Sequence, residues 1–249
     1  MMQLTPEEKR AREMVCLPLD GLHSLEDVRA RVEELSPYVG LFKVGKESFT
    51  RFGPEIVRRV QEHGAGVFLD LKYHDIPNTV RGAARAAAEL GVRIFNVHAA
   101  GGSAMMAAAR EGVEEAGLDV EDRPRVIAVT VLTSIDREIL NRDCGVPGEV
   151  ADQVLRLARL SQEGGLDGIV CSAADLGVLK GKLKPGFLFV TPGIKGTTTP
   201  AGADQKRVMS PARAVAAGSS LLVVGRAITG APERPAAARE ILRDIARVL

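Results

Sequence analysis

The chain has 249 residues, enough to bury a substantial core, and suits one large α/β domain as well as two small ones. Lys and Arg total 33 against 32 Asp and Glu, so no overall field draws it to nucleic acid or to an anionic membrane, and with no Trp and two Tyr it lacks stacking platforms for single strands. Cys16, Cys144 and Cys171 are odd in number, far apart and without a C-x-x-C pair, which argues against disulfides and a zinc site and fits a reducing cytosol. The first residues are polar and mixed in charge, with no signal-peptide core, and no run approaches membrane-spanning length. A soluble cytoplasmic protein is expected.

Short apolar runs recur at residues 14–19, 41–44, 66–71, 94–97, 126–132, 168–171, 187–191 and 221–224. Amphipathic or Ala-rich segments follow them at 25–35, 54–63, 79–90, 104–116, 149–163, 173–180, 211–217 and 235–248. Strand then helix, eight times over, implies a parallel sheet with helices outside. Eight such units in this length predict an α/β fold: a single (β/α)8 TIM barrel over residues 1–249. An open doubly wound sheet is the alternative. Its Gly-x-Gly-x-x-Gly turn after the first strand is missing, and Leu19-Asp20-Gly21-Leu22-His23-Ser24 stands there instead.

The third run carries the densest chemistry. In Val67-Phe68-Leu69-Asp70-Leu71-Lys72, alternation puts Val67, Leu69 and Leu71 on one face and Asp70 and Lys72 on the other. Asp75 follows, just before Pro77, which ends the strand locally. A Lys ammonium near two carboxylates at a buried strand end is expected. Buried charges cost several kcal/mol unless paired or used. A structural ion pair would need one acid, and this segment supplies two.

Barrel active sites lie at the carboxyl ends of the strands. Those ends read Asp20, Lys43, Asp70 with Lys72, Asn96 with His98, Thr133 with Ser134, Ser172, Thr191, and Gly225 with Arg226. Asp20, Lys43, Asp70 and Lys72 are therefore expected to converge on one small anionic or polar substrate. After the last two strands, Pro192-Gly193-Ile194-Lys195-Gly196 and Gly225-Arg226 read as a phosphate site, since glycines admit backbone N–H groups and Lys195 or Arg226 supplies charge.

At this point the residues resemble a known family. Asp70-x-Lys72-x-x-Asp75-Ile76-Pro77-x-Thr79 is similar to the signature of the orotidine 5′-phosphate decarboxylases. Supporting stretches run in the family's order along nearly the whole chain. They are Asp20, Phe42-Lys43-Val44-Gly45, Val97-His98-Ala99-Ala100-Gly101-Gly102, Val129-Thr130-Val131-Leu132-Thr133-Ser134, Val190-Thr191-Pro192-Gly193-Ile194, Asp204-Gln205-Lys206-Arg207 and Val223-Val224-Gly225-Arg226-Ala227-Ile228-Thr229. The spacing resembles the bacterial branch.

The resemblance implies conversion of orotidine monophosphate to UMP and CO₂ in pyrimidine biosynthesis, without cofactor or metal, by a homodimer. It implies that Lys72 donates a proton to pyrimidine C6, that Asp70 lies beside the departing carboxylate, and that Asp75 reaches in from the partner subunit. Asp20 and Lys43 resemble ribose contacts, with Thr79 contributed across the interface. Thr133 and Ser134 resemble contacts to the pyrimidine, and Gln205, Gly225 and Arg226 contacts to phosphate. Many bacterial relatives carry Arg where this chain has Lys195, and Lys holds phosphate as a point charge rather than a planar fork. The segment 193–207, rich in Gly and Thr, is expected to act as a lid that orders on phosphate.

Other residues read as structural. With four His and none paired at i, i+4, a zinc site is not expected, and His98 reads as a hydrogen-bonded structural residue. His74 is assigned no chemistry, Met105-Met106 reads as core filler, and Cys171 as a small buried hydrophobe. The competing function is a magnesium-dependent sugar-phosphate decarboxylase or aldolase sharing the Asp-x-Lys-x-x-Asp core. Ile76-Pro77-x-Thr79, Leu132-Thr133-Ser134 and Asp204-Gln205 argue against it. A non-catalytic phosphate-ligand sensor is the third reading, and intact Asp70, Lys72 and Asp75 argue against it.

Overall fold

In the computed structural model, which describes residues 4–194 and 209–249, eight parallel strands close into a barrel in sequence order. They are β1 (Val15–Pro18), β2 (Leu41–Gly45), β3 (Gly66–Tyr73), β4 (Ile94–His98), β5 (Arg125–Val129), β6 (Gly168–Val170), β7 (Leu188–Thr191) and β8 (Leu221–Val223), with β8 pairing back onto β1. The helices are α1 (Pro6–Glu13), α2 (Leu25–Leu35), α3 (Lys46–Phe52), α4 (Glu55–Gln61), α5 (Pro77–Glu89), α6 (Gly102–Glu115), α7 (Arg137–Arg142), α8 (Val150–Glu163), α9 (Leu176–Leu179), α10 (Pro211–Ala216), α11 (Arg226–Thr229) and α12 (Arg234–Ala246).

Strand alternation sorts the side chains into two apolar bodies. Outward-facing Val15, Leu17, Phe42, Val44, Val67, Leu69, Phe95, Val97, Val126, Ala128, Ile169 and Leu222 pack against the helices. Inward-facing Cys16, Leu41, Phe68, Ile94, Ile127, Val170, Val190, Leu221 and Val223 fill the barrel, every strand contributing. The period of two then dictates what lies above this plug. Two residues further along β2, β3 and β4 stand Lys43, Asp70 and Asn96, so the layer immediately over the apolar plug is polar.

Boundaries moved where local chemistry overrode periodicity. β5 ends at Val129 rather than running to 132, and the Thr130 hydroxyl donates to the Val170 carbonyl as the chain turns off the sheet. Thr133 and Ser134 therefore sit in an exposed turn beyond the strand, not at its end. Pro77 opens α5 at its first position, where a missing N–H costs nothing, rather than merely ending β3. Residues 173–175 do not enter a helix, because the Asp175 carboxylate accepts from both the N–H and the hydroxyl of Ser172 and holds a turn there. α5 and α6, both rich in Ala, approach so closely that a Cβ on Gly112 would meet the Arg81 carbonyl oxygen at 2.2 Å.

α1 docks on α12 and clasps the two ends of the described chain together. Thr5 and Glu8 form a capping box. The buried Glu8 carboxylate also meets Arg239 and Arg243, both at 3.4 Å. The Thr5 N–H bond, ahead of the two guanidiniums, holds the Glu8 carboxyl below the usual range despite burial. Glu8→Ala should destabilise the fold by roughly 2–3 kcal/mol, because it removes a buried carboxylate that pairs with Arg239 and Arg243 and takes away half of the cap. Urea denaturation measures this, and a loss below about 0.5 kcal/mol, the size of an ordinary surface change, would show that the clasp contributes little.

Candidate active site

The strand ends bring four of the expected charges into one alternating row. The Lys43 ammonium lies 3.2 Å from Asp20 Oδ2 and 3.3 Å from Asp70 Oδ2. The Lys72 ammonium lies 2.5 Å from Asp70 Oδ1. They come from three places: Asp20 from the turn after β1, Lys43 from β2, and Asp70 and Lys72 both from β3. Asp70 and Lys43 are nearly buried, with side chains 12 % exposed, whereas Asp20 opens to solvent at 47 %. The row thus runs from the barrel mouth down to the apolar plug and along β3.

Burial opposes both inner charges and loses. Desolvation is the largest influence on Lys43 and lowers its pKa, but Asp70 and Asp20 together leave it above the ordinary lysine value. Desolvation likewise pushes Asp70 up, yet Lys43, Lys72 and the Asn96 amide hold its carboxyl below the ordinary aspartate value. Gly45 makes room for this arrangement: a Cβ there would sit 2.8 Å from both Asp20 Oδ1 and Lys43 Nζ.

Lys72 itself has an unusual backbone. Its φ of +53° is the one positive value among the described non-glycine residues. Such a conformation costs on the order of 1–3 kcal/mol and collects at working sites. Pairing of β3 with β4 loses register between Leu69 and Tyr73, around this residue. Fully buried Asn96 of β4 occupies the gap. Its Oδ1 accepts the Lys72 N–H at 2.8 Å and its Nδ2 donates to Asp70 Oδ1 at 2.7 Å. Asn96 was legible only as a polar strand end; the stronger signal was its place two residues past inward-facing Ile94.

Asp75 does not complete the cluster within one chain. Its carboxylate accepts from the Ile76 N–H at 2.6 Å and makes no ion pair with a described residue. Residues 74–79 are all exposed, Thr79 among them, and Ile76 presents 66 % of its surface. Among the described residues, the expected pair of carboxylates around Lys72 is therefore Asp70 alone.

His98 also departs from its expected role. Its ring lies 5.6 Å from that of His74, and neither ring nitrogen has a hydrogen-bond partner among the described residues. Desolvation first, then His74, Lys46 and Lys72, pushes its pKa down to about 4, so the imidazole is neutral at neutral pH. Met105, Met106 and Cys171 are buried, as their reading as core required, and burial drives the Cys171 thiol upward.

At the far side of the mouth, Gly193 has φ +79° just after β7. Gly225 follows β8 against Pro18, which a Cβ would approach to 3.2 Å, and exposed Arg226 opens α11. Lys195, Gln205 and nearly all of the expected lid 193–207 lie outside the described residues. Among the described residues, no three His, Cys, Asp or Glu side chains gather as a metal site, and no helix is long and apolar enough to cross a membrane.

Comparison with known proteins agrees along the whole chain. The orotidine 5′-phosphate decarboxylase / HUMPS family matches residues 13–241. The orotidine 5′-phosphate decarboxylase of Moorella thermoacetica is 53 % identical over 87 % of this chain and 86 % of its own. That of Syntrophus aciditrophicus is 48 % identical over 100 % and 99 %. The crystal structure of the Lactobacillus acidophilus enzyme of the same name superposes with a TM-score of 0.81 at 36 % identity, covering 94 % of this chain and 99 % of that one. With matched residues running from the end of α1 into α12, this chain belongs to the orotidine 5′-phosphate decarboxylase / HUMPS family.

Proposed function

We propose that this protein decarboxylates orotidine 5′-phosphate to UMP and CO₂ in pyrimidine biosynthesis, with Lys72 as proton donor and no cofactor. The observation that carries the reading is the Asp20–Lys43–Asp70–Lys72 row, which ends in an ammonium held at the barrel mouth. Breaking the C6–carboxylate bond leaves the electron pair on C6, in the ring plane, with little delocalisation. A fixed positive charge stabilises that pair without reorganising during the reaction. The Lys72 ammonium then gives its proton to C6, CO₂ departs, and the neutral amine recovers a proton from solvent. Asp70, beside the leaving carboxylate, adds a repulsion that CO₂ formation relieves.

The ribose hydroxyls fit Asp20, the solvent-facing end of the row, and Lys43 beside it. Thr133 and Ser134, in their exposed turn, are assigned to the pyrimidine, and Gln205, Gly225 and Arg226 to phosphate, with Lys195 as a further point charge. Phosphate binding far from C6 supplies energy that can be realised in the transition state. The competing reading, a magnesium-dependent sugar-phosphate enzyme, is disfavoured by relatives near 50 % identity that carry the decarboxylase name. Turnover of orotidine monophosphate in the presence of a chelator separates the two: activity should persist, and its loss would support the metal enzyme.

We assign the unmet needs of the 74–79 segment to a second subunit in a cytoplasmic homodimer. Asp75 has no ion partner among the described residues, and Ile76 is an exposed aliphatic side chain beside it. Asp75 and Thr79 would then complete the partner's site.

Lys72→Ala should lower kcat by roughly a hundredfold or more while UMP still binds. Retained turnover above a few per cent of wild type would remove the proton-donor role. Mixing Lys72→Ala with Asp75→Ala protein should restore about a quarter of wild-type activity, because half the dimers of a two-fold assembly are mixed and each carries one intact site. No recovery despite demonstrated subunit exchange would contradict a shared site. Arg226→Ala should lower kcat/KM for the nucleotide about tenfold to a hundredfold, the worth of one charged phosphate hydrogen bond, and leave reaction of the dephosphorylated nucleoside nearly unchanged. Equal losses on both substrates would place Arg226 in support of the barrel instead.

A further inference from the structure

Proton donation requires more than an ammonium nearby; one N–H must point at C6. A lysine side chain has several rotatable bonds, so its aim has to be set from outside. Two things set it here: the direction in which the main chain launches the side chain, and the carboxylate that captures the far end. Both depend on one amide. Asn96 Oδ1 accepts the main-chain N–H of Lys72 at 2.8 Å, where φ is +53°. Asn96 Nδ2 donates at 2.7 Å to Asp70 Oδ1, the same oxygen that meets Lys72 Nζ.

We propose that Asn96 is a positioning residue that aims the Lys72 ammonium by fixing the Lys72 main chain and the Asp70 carboxylate together. The role rests on reading Lys72 as the proton donor. An apolar residue would fit this inward, fully buried position at less desolvation cost, as Ile94 does two residues earlier in the same strand. Only an amide offers an acceptor and a donor on one short planar head. Ser is too short to span both partners, and an ionised Asp would set a second negative charge against Asp70. Without Asn96 the left-handed backbone at Lys72 loses the acceptor that holds it. Asp70 Oδ1 loses one of its two donors, leaving the carboxylate free to turn toward Lys43.

Asn96→Ala and Asn96→Asp test the role, with kcat, KM and the UMP dissociation constant measured beside the wild type. Asn96→Ala should lower kcat by about a hundredfold, the scale of a misaimed catalytic group, while UMP affinity stays within about threefold. Asn96→Asp keeps the acceptor for Lys72 and most of the volume, so it serves even if the alanine variant fails to fold. Ionised, it cannot donate to Asp70; protonated, it can. Asp70 is faced by Cys16 and Asp20 from the first strand and its turn, Lys43 from β2, Lys72 from β3 and His98 from β4. Against that background, Asn96→Asp should be slow at neutral pH and recover part of its kcat as pH falls, a rise the wild type does not show. Wild-type kcat in either variant at neutral pH, or equal losses of kcat and UMP affinity, would reduce Asn96 to local packing. Failure of the wild type itself to decarboxylate the nucleotide would instead bring down the function on which the role rests.

Discussion

The arrangement depends on one buried carboxylate. Asp70 stands between two ammoniums over an apolar plug and is the one carboxylate that pairs with both Lys43 and Lys72 among the described residues. Each buried ion costs several kcal/mol in lost hydration, which only close pairing and added hydrogen bonds can offset. Asp70 obtains both from Lys43, Lys72 and Asn96. The shifts have opposite signs and define a window. The lowered Asp70 pKa favours the folded state fully above the unfolded aspartate range, and that contribution fades as pH falls through the folded value. The raised Lys43 pKa contributes fully below the unfolded lysine range and fades as pH rises through the folded value. The row is intact between those limits.

The barrel supplies this row through simple geometry. Because side chains alternate, the residue two positions beyond each plug residue also faces inward, and the sequence changes there from apolar to polar. Leu41 is followed by Lys43, Phe68 by Asp70 and Ile94 by Asn96. The plug excludes water from below, so the charges interact in a medium poorer than water and are worth more to a reacting ion. The strained backbone at Lys72 fits the same logic: a conformation unfavourable by itself persists because the β4 amide and the ion pair over-determine it.

Much of this was legible in the sequence because apolar runs and charged strand ends are local signals. All eight strands fall where their runs stood, and Asp20, Lys43, Asp70 and Lys72 meet as their positions implied. The helices that escaped notice are those without an apolar stripe. α1 reads Pro-Glu-Glu-Lys-Arg-Ala-Arg-Glu and buries only Glu8 and Ala11, so its sign was the Thr5–Glu8 capping box rather than periodicity. α3, α7 and α11 are short and bury few side chains: Ser48 in α3, Leu140 in α7, and Ala227 and Ile228 in α11. β5 was read too long because Thr130–Leu132 continues its β-branched, apolar run while the Thr130 hydroxyl bonds across to β6. The Asn96 bridge and the His74–His98 contact join residues separated by a whole helix of sequence, and no local pattern announces a side chain that bonds another strand's backbone. Asp75 lacks an ion partner for a different reason: what it needs is not within its own chain's described residues.

The central claim is that Asp70 is a carboxylate held ionised in a buried row by two lysines and an amide. A pH titration of the Asp70 side-chain carboxyl carbon by NMR, in the free protein, tests it directly. The account predicts a signal that stays that of the ionised form through the ordinary aspartate value of 3.8 and titrates only below it, or not before acid unfolding. A midpoint above 3.8 would mean that desolvation prevails over Lys43, Lys72 and Asn96, and that the row does not exist as a set of mutually stabilised charges.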